Sequence, residues 1–236
     1  MRKQIVVIGL GRFGISVAVK LHDMGHDVLA MDKEERNVQS VVSQLTRAIQ
    51  ADVTDEAVLN ELGIADFDVA IVGIGTSIES SVLVTLLLKK LGVRYIVARA
   101  SSELHGSILE KIGADRVVYP EHETATRIAH ILTLTDVVDY IPVGENYGIA
   151  KFEAPSYLVG KTLDEIGFGP NGKKDVAVLL IQRRNEVIIN PSQAEVVSLV
   201  DILIVSGADE KIERLLVEAK RSKKDNKKEN KPDNES

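Results

Sequence analysis

Apolar residues along the first 120 positions fall into short, near-continuous runs, each followed by a stretch where they recur every three or four residues. The runs lie at residues 4–8, 27–31, 47–50, 69–72, 95–98 and 117–119 and predict strands. The helical periodicity lies at 12–24, 35–44, 55–62, 79–91 and 103–112. Strands rich in Val, Ile and Leu without polar alternation are buried on both faces. Separated one by one by helices, they predict an α/β fold with a doubly wound parallel sheet. Glycines support the helix ends: Gly25, Gly63, Gly92 and Gly113 each follow an apolar residue, where a left-handed stop is needed. Asp55 stands where the third helix needs an N-cap.

After Pro120 the pattern changes. A helix is predicted at 123–135, then strand-type runs dominate at 140–143, 148–154, 176–182, 186–189 and 202–206, with a last helix at 209–221. The shift places a domain boundary near 136–139. It gives a first domain over 1–136, a smaller α+β domain over 137–219 and a tail over 220–236. A unit as small as the second is expected to dock or dimerise.

Composition narrows the chemistry. The chain has 236 residues, 44% apolar and only 4% aromatic, which suits an aliphatic sheet core. It has no cysteine, so disulfides and thiolate metal sites are excluded. Its net charge of −6 divides into −9 over residues 1–219 and +3 over 220–236. An acidic body argues against a nucleic-acid role. The tail, charged and without a large apolar residue after 221, is expected to be a disordered solubilising segment. No apolar run reaches membrane-spanning length, and the first strand begins too early to leave room for a signal peptide, so a cytoplasmic protein is expected.

The candidate site begins at Gly9-Leu10-Gly11-Arg12-Phe13-Gly14, directly between the first strand and first helix. In this pattern Gly9 permits a tight turn, Gly11 lets a phosphate approach the backbone, and Gly14 lets helix and strand pack closely. The helix start offers free N–H groups and a positive dipole end to that phosphate. Asp32, ending the second strand, is placed to accept hydrogen bonds from ribose hydroxyls and to repel a 2′-phosphate, disfavouring NADP. Open parallel sheets bind ligands at the carboxyl ends of their strands, which adds Asp52-Val53, Ile74-Gly75-Thr76 and Arg99-Ala100-Ser101. Arg12, inside the turn, either grips a phosphate or extends into solvent.

In combination with Ile112-Gly113-Ala114-Asp115-Arg116-Val117-Val118-Tyr119-Pro120-Glu121, Ala51-Asp52-Val53-Thr54-Asp55, Ile71-Val72-Gly73-Ile74-Gly75 and Gly160-Lys161-Thr162-Leu163, the glycine motif resembles the RCK (KTN) family. More closely, it resembles the cytosolic regulatory subunits of Ktr/Trk potassium-uptake systems. The resemblance implies a Rossmann-like N-terminal domain and a smaller RCK C-terminal domain. It also implies a homo-oligomeric ring, typically of eight subunits built from dimers, attached peripherally to the membrane through a potassium-translocating partner. ATP would favour the active ring and ADP the inactive one, with NAD or NADH occupying the site in some members. Arg12 would reach the terminal phosphate of a neighbour's nucleotide. Asp32 would hold the ribose, while Asp52, Val53, Ile74, Gly75, Thr76, Arg99, Ala100, Ser101 and His105 would line the pocket. Glu121 matches a position that binds a cation, divalent or monovalent, at the subunit seam in some members, although a carboxylate there also favours the helix dipole. Some members bind cyclic di-AMP at the dimer seam of the second domain; no residue set here specifies it.

Two rival readings remain in the sequence. An NAD-dependent oxidoreductase needs a positioned acid or base. All five histidines (His22, His26, His105, His122, His130) precede the boundary, and no catalytic dyad is evident. A stand-alone NADH/NAD redox sensor linked to DNA would need a basic reading element, and none is evident. The expectation is therefore a nucleotide-sensing gate and not an enzyme.

Overall fold

The computed structural model describes residues 2–133, 137–169 and 175–216, and its contacts divide the chain into two units, Met1–His122 and Glu123–Ser236. The sequence boundary expected at 136–139 borders residues 134–136, which lie outside the described set, as do the end of the expected last helix and the whole tail.

In the first unit the strands are Gln4–Ile8 (β1), Asp27–Asp32 (β2), Arg47–Gln50 (β3), Val69–Val72 (β4), Ile96–Arg99 (β5) and Arg116–Val118 (β6). All pair in parallel, in the order β3-β2-β1-β4-β5-β6. The intervening helices are Arg12–Asp23 (α1), Glu35–Gln39 (α2), Glu56–Glu61 (α3), Ile78–Lys90 (α4) and Glu103–Lys111 (α5). Alternate residues of the central strands enter opposite cores. Ile5, Val7, Val28 and Ala30 join Ala18 of α1 and Val38 of α2, whereas Val6, Ile8, Leu29 and Met31 join Leu59, Val84, Leu88 and Leu109 of α3, α4 and α5. Both faces of the sheet are thus covered, and each buried Val, Leu or Ile contributes roughly 1.5–3 kcal/mol.

One helix is shorter than its pattern predicts. The periodicity extends to 44, yet α2 ends at Gln39. Ser40 Oγ donates to the Asn37 carbonyl at 2.6 Å, and two β-branched residues, Val41 and Val42, follow. Both features favour leaving the helix. Val41 and Leu45 are buried all the same, so the apolar spacing reports burial and not helix. The order of the sheet reverses direction between β1 and β4, and the crevice above that point is where such folds take ligands.

Pro120–Thr133 (α6) begins in the first unit and continues into the second. Proline at its first position needs no partner for an N–H it lacks. The second unit contains Val137–Gly144 (β7), Tyr147–Glu153 (β8), the short helix Leu163–Ile166 (α7), Val176–Arg183 (β9), Glu186–Ile189 (β10) and Asp201–Ala208 (β11). Its antiparallel sheet runs β10-β9-β11-β8-β7, and residues 209–216 are helical. Tyr140, Phe152, Leu203 and Val205 from the sheet pack with Leu163, Phe168, Ile212 and Leu216. A capping box starts α7: Glu165 N–H donates to Thr162 Oγ1 at 3.2 Å, and Thr162 N–H donates to Glu165 Oε2 at 2.8 Å.

An ion pair between the buried Asp201 and the half-buried Arg183 anchors this unit. Arg183 donates from Nε to Asp201 Oδ1 at 2.8 Å and from Nη2 to Oδ2 at 2.9 Å, and Ser198 N–H donates to Oδ2 at 2.8 Å. Arg183 also pairs with Glu195 at 3.0 Å. Burial alone would raise the Asp201 carboxyl, but the Arg183 guanidinium and the Ser198 N–H outweigh it and hold the group below its ordinary value. Asp201→Ala removes two charge-assisted bonds and leaves the Ser198 N–H unmet, while Arg183 keeps Glu195, so the variant is expected to destabilise by about 1–3 kcal/mol. A depressed folded-state value means the contribution is full above about pH 4, the unfolded value, and fades as pH falls through the folded one. Urea unfolding of wild type and variant should therefore show a deficit that is constant near neutrality and narrows in acid.

Candidate nucleotide site

A cleft of about 900 Å³ opens at the carboxyl ends of β1, β2, β3 and β4. Gly9 has φ +92°, and a Cβ there would lie 2.9 Å from the Ile74 backbone nitrogen. A Cβ on Gly14 would lie 1.9 Å from the Gly9 carbonyl oxygen. The turn therefore presses α1 against the strand ends as only glycines permit. Backbone bonds fix it from both sides: Gly9 N–H donates to Met31 O at 2.8 Å, and Gly73 N–H donates to Ile8 O at 2.7 Å.

Asp32 ties β2 to this turn. Its Oδ2 accepts the Leu10 N–H at 2.6 Å and its Oδ1 accepts the Glu34 N–H at 2.8 Å, although the residue is only 8% exposed. A carboxylate has about four acceptor sites, so further donors can be taken. Asp52 is exposed and bonds the Thr54 hydroxyl at 2.6 Å and the Thr54 N–H at 3.0 Å, which lowers its carboxyl below the ordinary value, aided by Lys33. The Arg99 guanidinium lies over Gly75, where a Cβ would be 1.6 Å from Nη1, and donates from Nη2 to Glu121 Oε1 at 2.5 Å. That bond lowers the Glu121 carboxyl.

The start of α1 differs from its neighbours. Asp55, Ser77 and Ser102 cap α3, α4 and α5 with side-chain bonds, and an acid follows in each first turn. α1 has neither a side-chain cap nor an acid in its first turn. Its N–H groups and positive dipole end remain available to an anion. Around it the carboxylates Asp32, Asp52 and Glu121 are engaged as described, whereas Arg12, Lys33 and Arg36, and the one remaining acid of the wall, Glu34, form no ion pair among the described residues.

The sequence-derived site residues divide into two groups. Gly9, Gly11, Arg12, Phe13, Asp32, Asp52, Val53, Ile74, Gly75, Thr76, Arg99 and Glu121 share the cleft wall. Gly14, Ala100, Ser101 and His105 lie off it. Gly14 packs beneath the turn, and Ala100 is buried in the sheet core because its N–H continues the pairing with Val118. The His105 ring turns back on Ser101, whose N–H donates to Nδ1 at 3.2 Å. Burial, and then the Arg99 charge, lower the His105 value and favour the neutral ring, whose buried Nε2 bonds nothing among the described residues.

The wall also contains residues that the sequence reading passed over, among them Lys33, Arg36, Thr54, Ser77 and Ser80. Ser77 carried a usable signal, an N-cap serine directly after the β4 glycines. Lys33 and Arg36 carried none beyond adjacency to Asp32. As a cation site, Glu121 is already engaged by Arg99, and among the described residues no group of three or more His, Cys, Asp or Glu could hold a metal ion.

A parallel α/β sheet with a glycine cradle, followed by a small antiparallel unit, defines a two-domain protein of Rossmann-like nucleotide-binding type. Residues 5–120 match the TrkA-N domain and residues 149–218 the TrkA-C domain. The chain is 41% identical over 214 residues to Ktr system potassium uptake protein C of Bacillus subtilis (strain 168), spanning 91% of this chain and 96% of that protein. It is 34% identical over 210 residues to Ktr system potassium uptake protein A of Vibrio alginolyticus, spanning 89% and 94%. The crystal structure of the GsuK RCK domain shares the fold, with a TM-score of 0.62 at 20% identity. That match covers 92% of this chain and about half of the GsuK chain, 47%. The chain belongs to the RCK family of Ktr/Trk potassium-uptake proteins, as the sequence motifs implied.

The turn predicts its own test. Gly14→Ala would drive a methyl into the Gly9 carbonyl, so the variant should lose about 1–3 kcal/mol of stability as an overpacked site does. Because the collision distorts the cradle, adenine-nucleotide affinity measured by calorimetry should fall with it.

Proposed function

We propose that this chain is the cytosolic nucleotide-sensing subunit that gates a membrane-embedded potassium transporter. ATP favours the active state of a homo-oligomeric ring and ADP the inactive one. The observation that carries this reading is the uncapped start of α1, with Arg12, Lys33 and Arg36 in no ion pair among the described residues, while Asp32, Asp52 and Glu121 are engaged and only Glu34 of the acids on the wall is not. Such a site has unmet demand for a polyphosphate. The potassium-uptake names of the relatives supply the transport context. Among the described residues no helix is long and apolar enough to cross a membrane, which suits attachment through a partner subunit.

The proposed switch is Arg12, exposed at the cleft rim. A γ-phosphate gives its guanidinium something to hold across a subunit seam, and ADP does not. A charge-assisted contact contributes roughly 1.5–3 kcal/mol. Allosteric couplings are typically about 1–3 kcal/mol, so one such contact per subunit can bias a two-state ring. Only the difference in affinity between states acts; tight binding alone shifts nothing.

NAD(H) is the second reading, favoured by the cleft's volume of about 900 Å³ and by Asp32 at the ribose position. GsuK, which has the same fold, has been solved bound to NAD.

Calorimetry with ATP, ADP, NADH and NAD on the intact protein separates these readings, and sizing with and without ATP tests the ring. Arg12→Ala should leave ADP affinity nearly unchanged while ATP weakens about 10–100-fold, the equivalent of one charge-assisted contact. A variant that still discriminates ATP from ADP in binding and in transport would remove Arg12 from the switch.

A further inference from the structure

At the opposite edge of the parallel sheet lies a second cavity, of about 260 Å³, that the nucleotide reading does not use. It is formed where β1, β2 and β3 begin, beside the end of α1, and its wall includes Gln4, Asp27 and Arg47 from those strands. Arg2, His22 and His26 complete its polar lining, and Phe67 gives it an apolar side. The cavity therefore gathers two guanidiniums and two imidazoles against a single carboxylate, within a body whose residues 1–219 carry a net −9.

The local bonding leaves donors in excess. Arg2 pairs with Asp27, which neutralises both, but Arg47 is exposed and forms no ion pair among the described residues. His26 Nδ1 accepts the Lys3 N–H at 3.2 Å, so the ring proton of the neutral form is on Nε2 and that nitrogen is a donor. His22 Nε2 lies 3.3 Å from Thr46 Oγ1. A helix end ordinarily presents free carbonyls that would repel an anion. Here Lys20, Leu21 and His22 carbonyls already accept the N–H groups of Met24, His26 and Gly25.

We propose that this cavity is a binding site for a phosphate-class oxyanion, with Arg47 and the His26 Nε2–H as its donors. A guanidinium presents a planar fork that matches two phosphate oxygens. The volume admits one phosphoryl group and is far smaller than the nucleotide cleft. Its source is either the free ion or the phosphomonoester headgroup of a lipid such as phosphatidic acid, and both offer terminal phosphoryl oxygens.

Two titrations of the full-length protein, with and without ADP, decide the matter. In the first, inorganic phosphate is titrated calorimetrically. In the second, the protein is floated with phosphatidylcholine vesicles with and without phosphatidic acid. Arg47 lies outside the nucleotide cleft, so Arg47→Ala reports this cavity whether or not nucleotide is bound. The variant should bind the anion about tenfold more weakly, the loss of one charge-assisted contact, with ADP affinity unchanged and partial recovery in Arg47→Lys. Phosphate binding weakened in Arg47→Ala identifies the free ion; vesicle binding alone, weakened in the same variant, identifies the headgroup. No binding of either, or binding that Arg47→Ala leaves intact, overturns the proposal.

Discussion

The close approach of Gly14 to the Gly9 carbonyl is the constraint on which the first unit depends. It brings the amino end of α1 onto the carboxyl ends of β1 and β4 with no side chain between them. From that contact follow the cleft, the exposure of the α1 N–H groups and the distance at which Asp32 reaches the Leu10 amide. A bulkier turn would lift the helix, and with it the dipole end that makes the cleft suit a phosphate.

Charge in the cleft is organised by engagement more than by number. Asp32 is bound by backbone amides, Asp52 by Thr54 and Glu121 by Arg99, so three of the four acids lining the wall are fixed in place, Glu34 being the exception. Their cationic neighbours Arg12, Lys33 and Arg36 stay uncommitted among the described residues. In the second unit the same chemistry serves stability instead, because the half-buried Arg183 satisfies the buried Asp201 carboxylate. Lone charges suit recognition and closed pairs suit architecture.

Much of this was legible in the chain. The strands of the parallel sheet are buried on both faces and so read as unbroken apolar runs, and the glycine turn with Asp32 located the cleft. Where legibility failed, a tertiary contact decided the outcome. The periodicity at 35–44 reports the burial of Val41 and Leu45, but Ser40 and the paired valines end the helix at Gln39. The rule that ligands gather at strand ends identifies an edge but not a depth. Arg99 therefore lines the cleft while Ala100, one residue on, continues the pairing with Val118 and turns into the core. His105 faces Ser101 because Ser102 starts α5 and orients the first turn, a geometry no spacing announces. Lys33 and Arg36 reach the wall only because α2 begins where it does.

The strand order has a consequence for how the molecule comes into being. β1 is central in its sheet, yet one of its two neighbours is β4, which ends at Val72. A nascent chain must hold Ile5-Val6-Val7-Ile8 without its final partner until some sixty further residues have left the ribosome. Pairings so distant in sequence close slowly, because loop entropy is lost before contacts reward it. During that interval an apolar strand edge is open to other chains, which makes β1 dependent on cellular folding assistance until β4 arrives.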